Sequence, residues 1–158
     1  MKTKIIILLV LLVSCTNKEH KTHYLTLRLH YQLLISSADF VISDQQGVLS
    51  EGLVTLLDKD TPTFRKATHD DEMNAIDISG NMEMLKISMG TIIEQYKIIE
   101  QLYSKKNIFN GGKRQQEIDL RIGLINSAES SMLKVTGGLK PKEYIDKFLP
   151  ERLKKLTK

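Results

Sequence analysis

The sequence predicts an all-α protein: an antiparallel bundle of three to four helices behind a cleavable N-terminal leader. Three observations carry that expectation. Residues 75–103 repeat apolar side chains every three and four positions without a break. A stripe with the same spacing runs from Tyr24 to Val41, and a third apolar-faced segment spans 113–135. Short polar connections join the three, and long helices so connected pack most simply side by side and antiparallel.

The leader comes first. Lys2 and Lys4 give a positive start, Ile5 to Val13 is an unbroken run of nine apolar residues, and Ser14 and Cys15 follow. At about 1.5 Å per residue, nine helical residues fall far short of a hydrocarbon core about 30 Å thick. The run is too short to span a bilayer, and its flanks are those of a secretory signal. Cys15 is also the one cysteine of the chain.

The quartet Leu12-Val13-Ser14-Cys15 resembles the lipobox of bacterial lipoproteins. That resemblance covers residues 1–15. It implies cleavage just before Cys15 and transfer of a diacylglyceryl group to its thiol, with acyl chains such as palmitate. The chemistry suits the residues: sulfur is the nucleophile, and Ser14 supplies the small residue at the junction. Residues 1–14 are then signal peptide, 15–23 a short polar lipidated tether, and 24–158 one helical domain. The resemblance implies a cell-envelope protein lipid-anchored to a membrane. Thr16, where aspartate often signals inner-membrane retention, leans toward the outer membrane facing the periplasm in a Gram-negative cell.

Cleavage changes the charge. Loss of Lys2 and Lys4 takes the formal net charge from +4 to +2. The remainder is uneven: from Lys134 onward there are eight basic and three acidic side chains, whereas residues 15–133 carry 13 basic and 16 acidic. A short basic C-terminal helix either faces water or touches anionic surfaces. Aromatic residues make up 6% of the chain, with no tryptophan, which argues against base stacking and nucleic-acid binding.

The first helix of the domain is ambiguous by pattern. Tyr24, Leu27, Tyr31, Leu34, Ala38 and Val41 step by three and four, while Leu25, Leu27, Leu29, Tyr31 and Leu33 alternate as a strand would. The helical stripe lasts longer and is preferred; the alternative is an α+β fold with a strand near 24–35. Gly47 is expected to interrupt the helix, leaving Val48 to Leu57 as a second helical piece before Asp60-Thr61-Pro62. Between Tyr24 and Leu57 only Arg28, Asp39, Asp44 and Glu51 are charged. Such a helix is either central in the bundle or covered on its outer face by another protein.

The second helix is the clearest. Ala75, Ile78, Met82, Leu85, Met89, Ile92, Tyr96, Ile99 and Tyr103 form a seam of four heptads. Thr68 and Asp71 make a capping-box-like start, Asp70, Asp71 and Glu72 favour the positive helix end, and Lys105 and Lys106 occupy the last turn before an Asn110-Gly111-Gly112 stop. A third helix from Lys113 to Val135 turns Ile118, Ile122, Ile125 and Met132 inward, flanked by Leu124, Ala128 and Val135. Gly137-Gly138 closes it. Pro141 then opens a short helix with Tyr144, Ile145, Phe148 and Leu149 on its apolar face, ended by Pro150.

Site chemistry is sparse. His20, His23, His30 and His69 form no ligand spacing, and the Glu-x-x-His pairs of di-metal bundles do not occur, so no metal and no cofactor is expected. Met82 and Met89 lie on the seam, where methionine packs a core; Met73, Met84 and Met132 complete the set without a soft-metal pattern. Gly-rich phosphate loops and a nucleophile elbow are missing from the pattern, so an enzyme is not expected and no catalytic residue is assigned. The reading left is a lipid-anchored helical protein that serves as an anchoring or adaptor subunit of an envelope assembly of secretion, transport or motility type. The alternative is a ligand- or toxin-binding immunity-type lipoprotein.

Overall fold

The stripe through Tyr24 to Val41 folds as helix, not strand. In the computed structural model the chain forms α1 (Lys2–Glu51), β1 (Leu53–Leu56), β2 (Thr63–Lys66), α2 (His69–Ser104), α3 (Gly111–Val135) and α4 (Pro141–Asp146). The structure describes residues 2–56, 63–104 and 111–149, with side chains from His23 onward. Among the described residues the fold is an all-α bundle of four helices with one two-stranded ribbon.

Side-chain pairs fix the helix directions. Along α1, His23 stacks edge-on against Tyr96 and Asp39 pairs with Lys86, so α1 and α2 run antiparallel. Arg121 of α3 donates to Gln95 of α2 at 3.2 Å, and Ile118 shares a cleft with Ile99, so α3 runs back along α2. α4 docks near the middle, where the Asn81 amide donates to the Tyr144 hydroxyl at 3.0 Å. α2 packs against both α1 and α3 and is the helix in the middle. The charge-poor α1 is therefore not the central helix, and its outer face is open.

The α2 seam is buried as the spacing predicts. Ala75, Met82, Leu85, Met89 and Ile92 have no exposed surface, and Ile78, Tyr96 and Tyr103 are partly buried at the edges. From α1 come Leu34, Ala38, Val41 and Ile42; from α3, Ile125, Ala128 and Met132; from the C-terminal turn, Ile145 and Leu149. Each large side chain so buried stabilises the fold by about 1.5–3 kcal/mol in transfer free energy, before the entropy of ordering it. The alternating leucines lose to this stripe: Leu25, Leu29 and Leu33 stay exposed.

Several boundaries differ from expectation. α1 passes through Gly47 without a break and stops at Gly52, whose φ of 65° is open to glycine alone at little cost. The amide of Gly52 still donates to Val48 at 3.0 Å, closing the last turn. The second helical piece expected from Val48 does not form: Val48 to Glu51 belong to α1, and beyond Gly52 the chain is strand, with Leu57 outside the described residues. Leu53–Leu56 pairs antiparallel with Thr63–Lys66, Leu53 opposite Lys66 and Leu56 opposite Thr63. The β-branched Val54 and Thr55 suit that ribbon. The Asp60-Thr61-Pro62 stop lies outside the described residues, as do Lys105, Lys106, Asn110 and Pro150.

Gly111 and Gly112 open α3 rather than ending α2, a place where helical N–H groups lack intrahelical partners in any case. On α3 the buried line is Ile118, Ile125, Ala128 and Met132, with Val135 half-buried. Ile122 and Leu124 are exposed, contrary to expectation, because the three-four step from Ile118 to Ile125 passes through Arg121. Gly137 and Gly138, at φ 63° and 86°, end the helix, and the Gly138 amide donates to Leu133 at 2.8 Å in a Schellman-type closure.

Candidate functional site: Cys15 and the open face of α1

Cys15, the one residue assigned a chemical role by the sequence, falls on α1, whose backbone helix runs from Lys2 to Glu51. Its side chain and those of the other residues from 1 to 22 lie outside the described residues. Among the described residues no helix is long and apolar enough to cross a membrane. The surfaces carried downstream of Cys15 are described, and they divide into three.

The first is the outward face of α1. Leu29, Leu33 and Phe40 are 62%, 57% and 42% exposed, on the side away from the core. Leu25, also exposed, flanks them. The exposed Ser36 lies between Leu33 and Phe40, and the exposed Ser43 follows Phe40. The Ser36 hydroxyl donates to the Gln32 carbonyl at 3.1 Å and that of Ser37 to Leu33 at 3.1 Å, so both hydroxyls are satisfied within the helix. A water-facing helix normally carries charge on such a face. This one carries none on that stripe.

The second is a cleft of about 250 Å³ at the end of the bundle where the described side chains begin. Tyr24, Tyr96, Ile99, Tyr103 and Ile118 line it, and His23 meets Tyr96 with ring centroids 5.5 Å apart. Burial, with Glu129 nearby, pushes the Tyr96 phenol above its usual range, and the same two causes raise Tyr31. Tyr96 stays protonated as part of the cleft wall and is not a base; Tyr31 lies outside the cleft, beside His30 and Leu34.

The third is polar. At the start of α2, Asp71 accepts from the Thr68 amide at 2.8 Å and the Thr68 hydroxyl at 2.7 Å, while its own amide donates to Thr68 Oγ1 at 3.3 Å. Arg65 of β2 forks onto both Asp71 oxygens at 2.6 and 2.8 Å. Those hydrogen bonds, Arg65 first, hold the Asp71 carboxyl well below the carboxylate range. The carboxylate predicted as a cap is a cap. It also ties the β-ribbon to α2, which sequence spacing alone did not reveal.

Arg121 is the residue that sequence reasoning missed. It occupies a seam position on α3, bonds Glu117 one turn earlier and reaches Gln95 on α2. A polar layer of this kind fixes the register of two helices. The signal was present: Arg121 is the one charged residue on the three-four line from Ile118 to Val135.

The three described histidines do not converge. His23 sits at the cleft, His30 lies against Tyr31, His69 begins α2, and the side chain of His20 is outside the described residues. Among the described residues no group of three metal-ligating side chains comes together. Of the methionines, Met82, Met89 and Met132 are core, whereas Met73 and Met84 are exposed.

No family model, no curated relative and no solved structure matches the chain.

Proposed function

We propose that this protein is a lipid-anchored helical adaptor of the bacterial cell envelope, modified at Cys15 and displaying its bundle as a docking element for an envelope assembly. The observation that carries the reading is the order of residues at the start: Lys2 and Lys4, nine apolar residues, Ser14, then the lone Cys15. Such a leader directs a chain across a membrane, and acylation at one thiol then holds it there, since each buried CH₂ contributes about 0.8 kcal/mol. The uncharged, apolar outer face of α1 supports the adaptor half of the reading, because such faces mark protein contact sites. The chain acts by binding, without a catalytic group or cofactor of its own. In a Gram-negative cell Thr16 favours the outer membrane, with the domain in the periplasm.

The immunity-type alternative draws on the cleft between Tyr24, Tyr96 and Ile118, a concave surface suited to a protruding side chain of a soluble partner. Affinity purification of the full chain from detergent-solubilised membranes separates the two. The adaptor reading expects a stable complex of several membrane-associated proteins. A single stoichiometric soluble partner would favour the immunity reading, and a chain recovered alone from the soluble fraction would refute both.

A further inference from the structure

The inward stripe of α1 has a counterpart on the opposite side. Thr26, Leu29, Leu33, Ser36, Phe40, Ser43 and Gly47 step by three, four, three, four, three and four. All but the half-buried Gly47 are exposed. They contain no charge over three heptads. A heptad line of this kind is what two helices need to pack along their length. It explains why α1 tolerates Gly47 in its interior: small residues at Ser36, Ser43 and Gly47 let a neighbouring backbone approach between the large ones. Burying Ser36 leaves no orphan donor, since its hydroxyl already donates to Gln32.

We propose that this face is a self-association seam, pairing α1 of two copies of this chain in parallel and in register on one membrane surface. The proposal rests on the lipid-anchor reading, and the anchor selects the occupant. Two copies held at Cys15 in one leaflet point their α1 helices the same way. Because α1 is continuous from the anchor position to Glu51, equal residue numbers stand at equal heights. Leu29 then faces Leu29, and Phe40 faces Phe40, about a two-fold axis parallel to the helix. Any other partner needs an uncharged seam at the same height and phase.

Area supports a tethered dimer over a free one. From Leu29 to Gly47 the seam is about 27 Å long at 1.5 Å per residue. A strip on the order of 10 Å wide removes about 270 Å² per copy, roughly 540 Å² in total, below the about 1,200–2,000 Å² of stable soluble complexes. The free domain is accordingly monomeric at micromolar concentration. Confinement to a membrane raises the effective concentration enough to pair it.

The test is oxidative cross-linking in native membranes with the full chain carrying Ser36→Cys, compared with Ser130→Cys on the exposed face of α3. Ser36→Cys should give a disulfide product of twice the chain mass, at least tenfold more than Ser130→Cys. Adding Leu33→Lys should abolish it while leaving the melting temperature of the domain unchanged. Equal cross-linking at both positions, or a Ser36→Cys product whose mass reveals a different protein, overturns the proposal. The same membranes are scored for Cys15 acylation and salt-resistant attachment. An acylated, attached chain without the dimer overturns the seam alone. A chain that washes off without acylation overturns the anchor and the proposal with it.

Discussion

Truncating Leu85 measures how much of the α2 seam is core. Leu85 sits mid-helix with no exposed surface, packed in the cluster that joins all four helices. Leu85→Ala removes three carbons, worth about 2.4 kcal/mol at 0.8 kcal/mol per CH₂. A void on the order of 60 Å³ that fails to collapse adds about 1.5 kcal/mol at 24 cal/mol per Å³. The sum, about 4 kcal/mol, is a large share of the 5–15 kcal/mol typical of a domain. At about 3–4 °C per kcal/mol for a chain of this size, the midpoint should fall by about 12–16 °C. The assay is thermal unfolding followed by circular dichroism at two protein concentrations tenfold apart. The drop should be the same at both, and Ile87→Ala, at a position 61% exposed on the outer side of α2, should stay within about 0.5 kcal/mol of wild type. An unshifted midpoint for Leu85→Ala, or one that moves with concentration, would refute the core assignment and make the seam an intermolecular contact.

Two glycines five residues apart should respond with opposite signs. Gly47 is inside α1 with open space where a Cβ would be, so Gly47→Ala should stabilise the domain by about 0.5–1 kcal/mol in chemical denaturation. Gly52 has equal space but a φ of 65°, so Gly52→Ala should cost about 1–2 kcal/mol from backbone strain alone. Asp71 makes a pH-dependent contribution. Its carboxyl is held below the ordinary 3.8 in the folded state, so its stabilisation is present above pH 4 and lost as pH falls below that. Asp71→Asn should therefore melt below wild type at pH 7, with the gap narrowing as pH falls below 4; a gap as wide at pH 2 as at pH 7 would exclude the Arg65 and Thr68 bonds as its cause.

The bundle was legible where periodicity was long and flanks were simple. The α2 seam holds for four heptads, and its cap at Thr68 and Asp71 forms the bonds the spacing implies. The helical stripe of α1 prevailed over the alternating leucines because α2, with α4 beside it, offers a long apolar surface to bury against, whereas among the described residues a strand at 24–35 has no sheet to join. The glycines were misleading. Helix interiors tolerate Gly47 at about 1 kcal/mol, and only the sign of φ, set by the turn into β1, distinguishes it from Gly52. The ribbon was hidden because Leu53 to Leu56 continues the apolar run of α1 by composition. On α3, counting apolar residues favoured Ile122, while the packing phase placed Arg121 on the seam and left Ile122 half exposed at the wall of the cleft. At the candidate site, Cys15 is singled out by its neighbours in sequence alone, and its acylation remains the proposal. The second stripe of α1 was not, since Leu25, Leu29 and Leu33 counted toward a strand until the helix put them on its outer side.

The central claim is that Cys15 is acylated and becomes the N-terminus of the mature chain. Intact mass of the protein extracted from cells, together with metabolic labelling by an alkyne fatty acid, tests it most directly. The account predicts a mature species that begins at Cys15, carries a diacylglyceryl mass and takes up label, and a Cys15→Ala chain that retains residues 1–14 and takes up none. A wild-type chain that retains residues 1–14 with a free thiol, or equal labelling of Cys15→Ala, would contradict it.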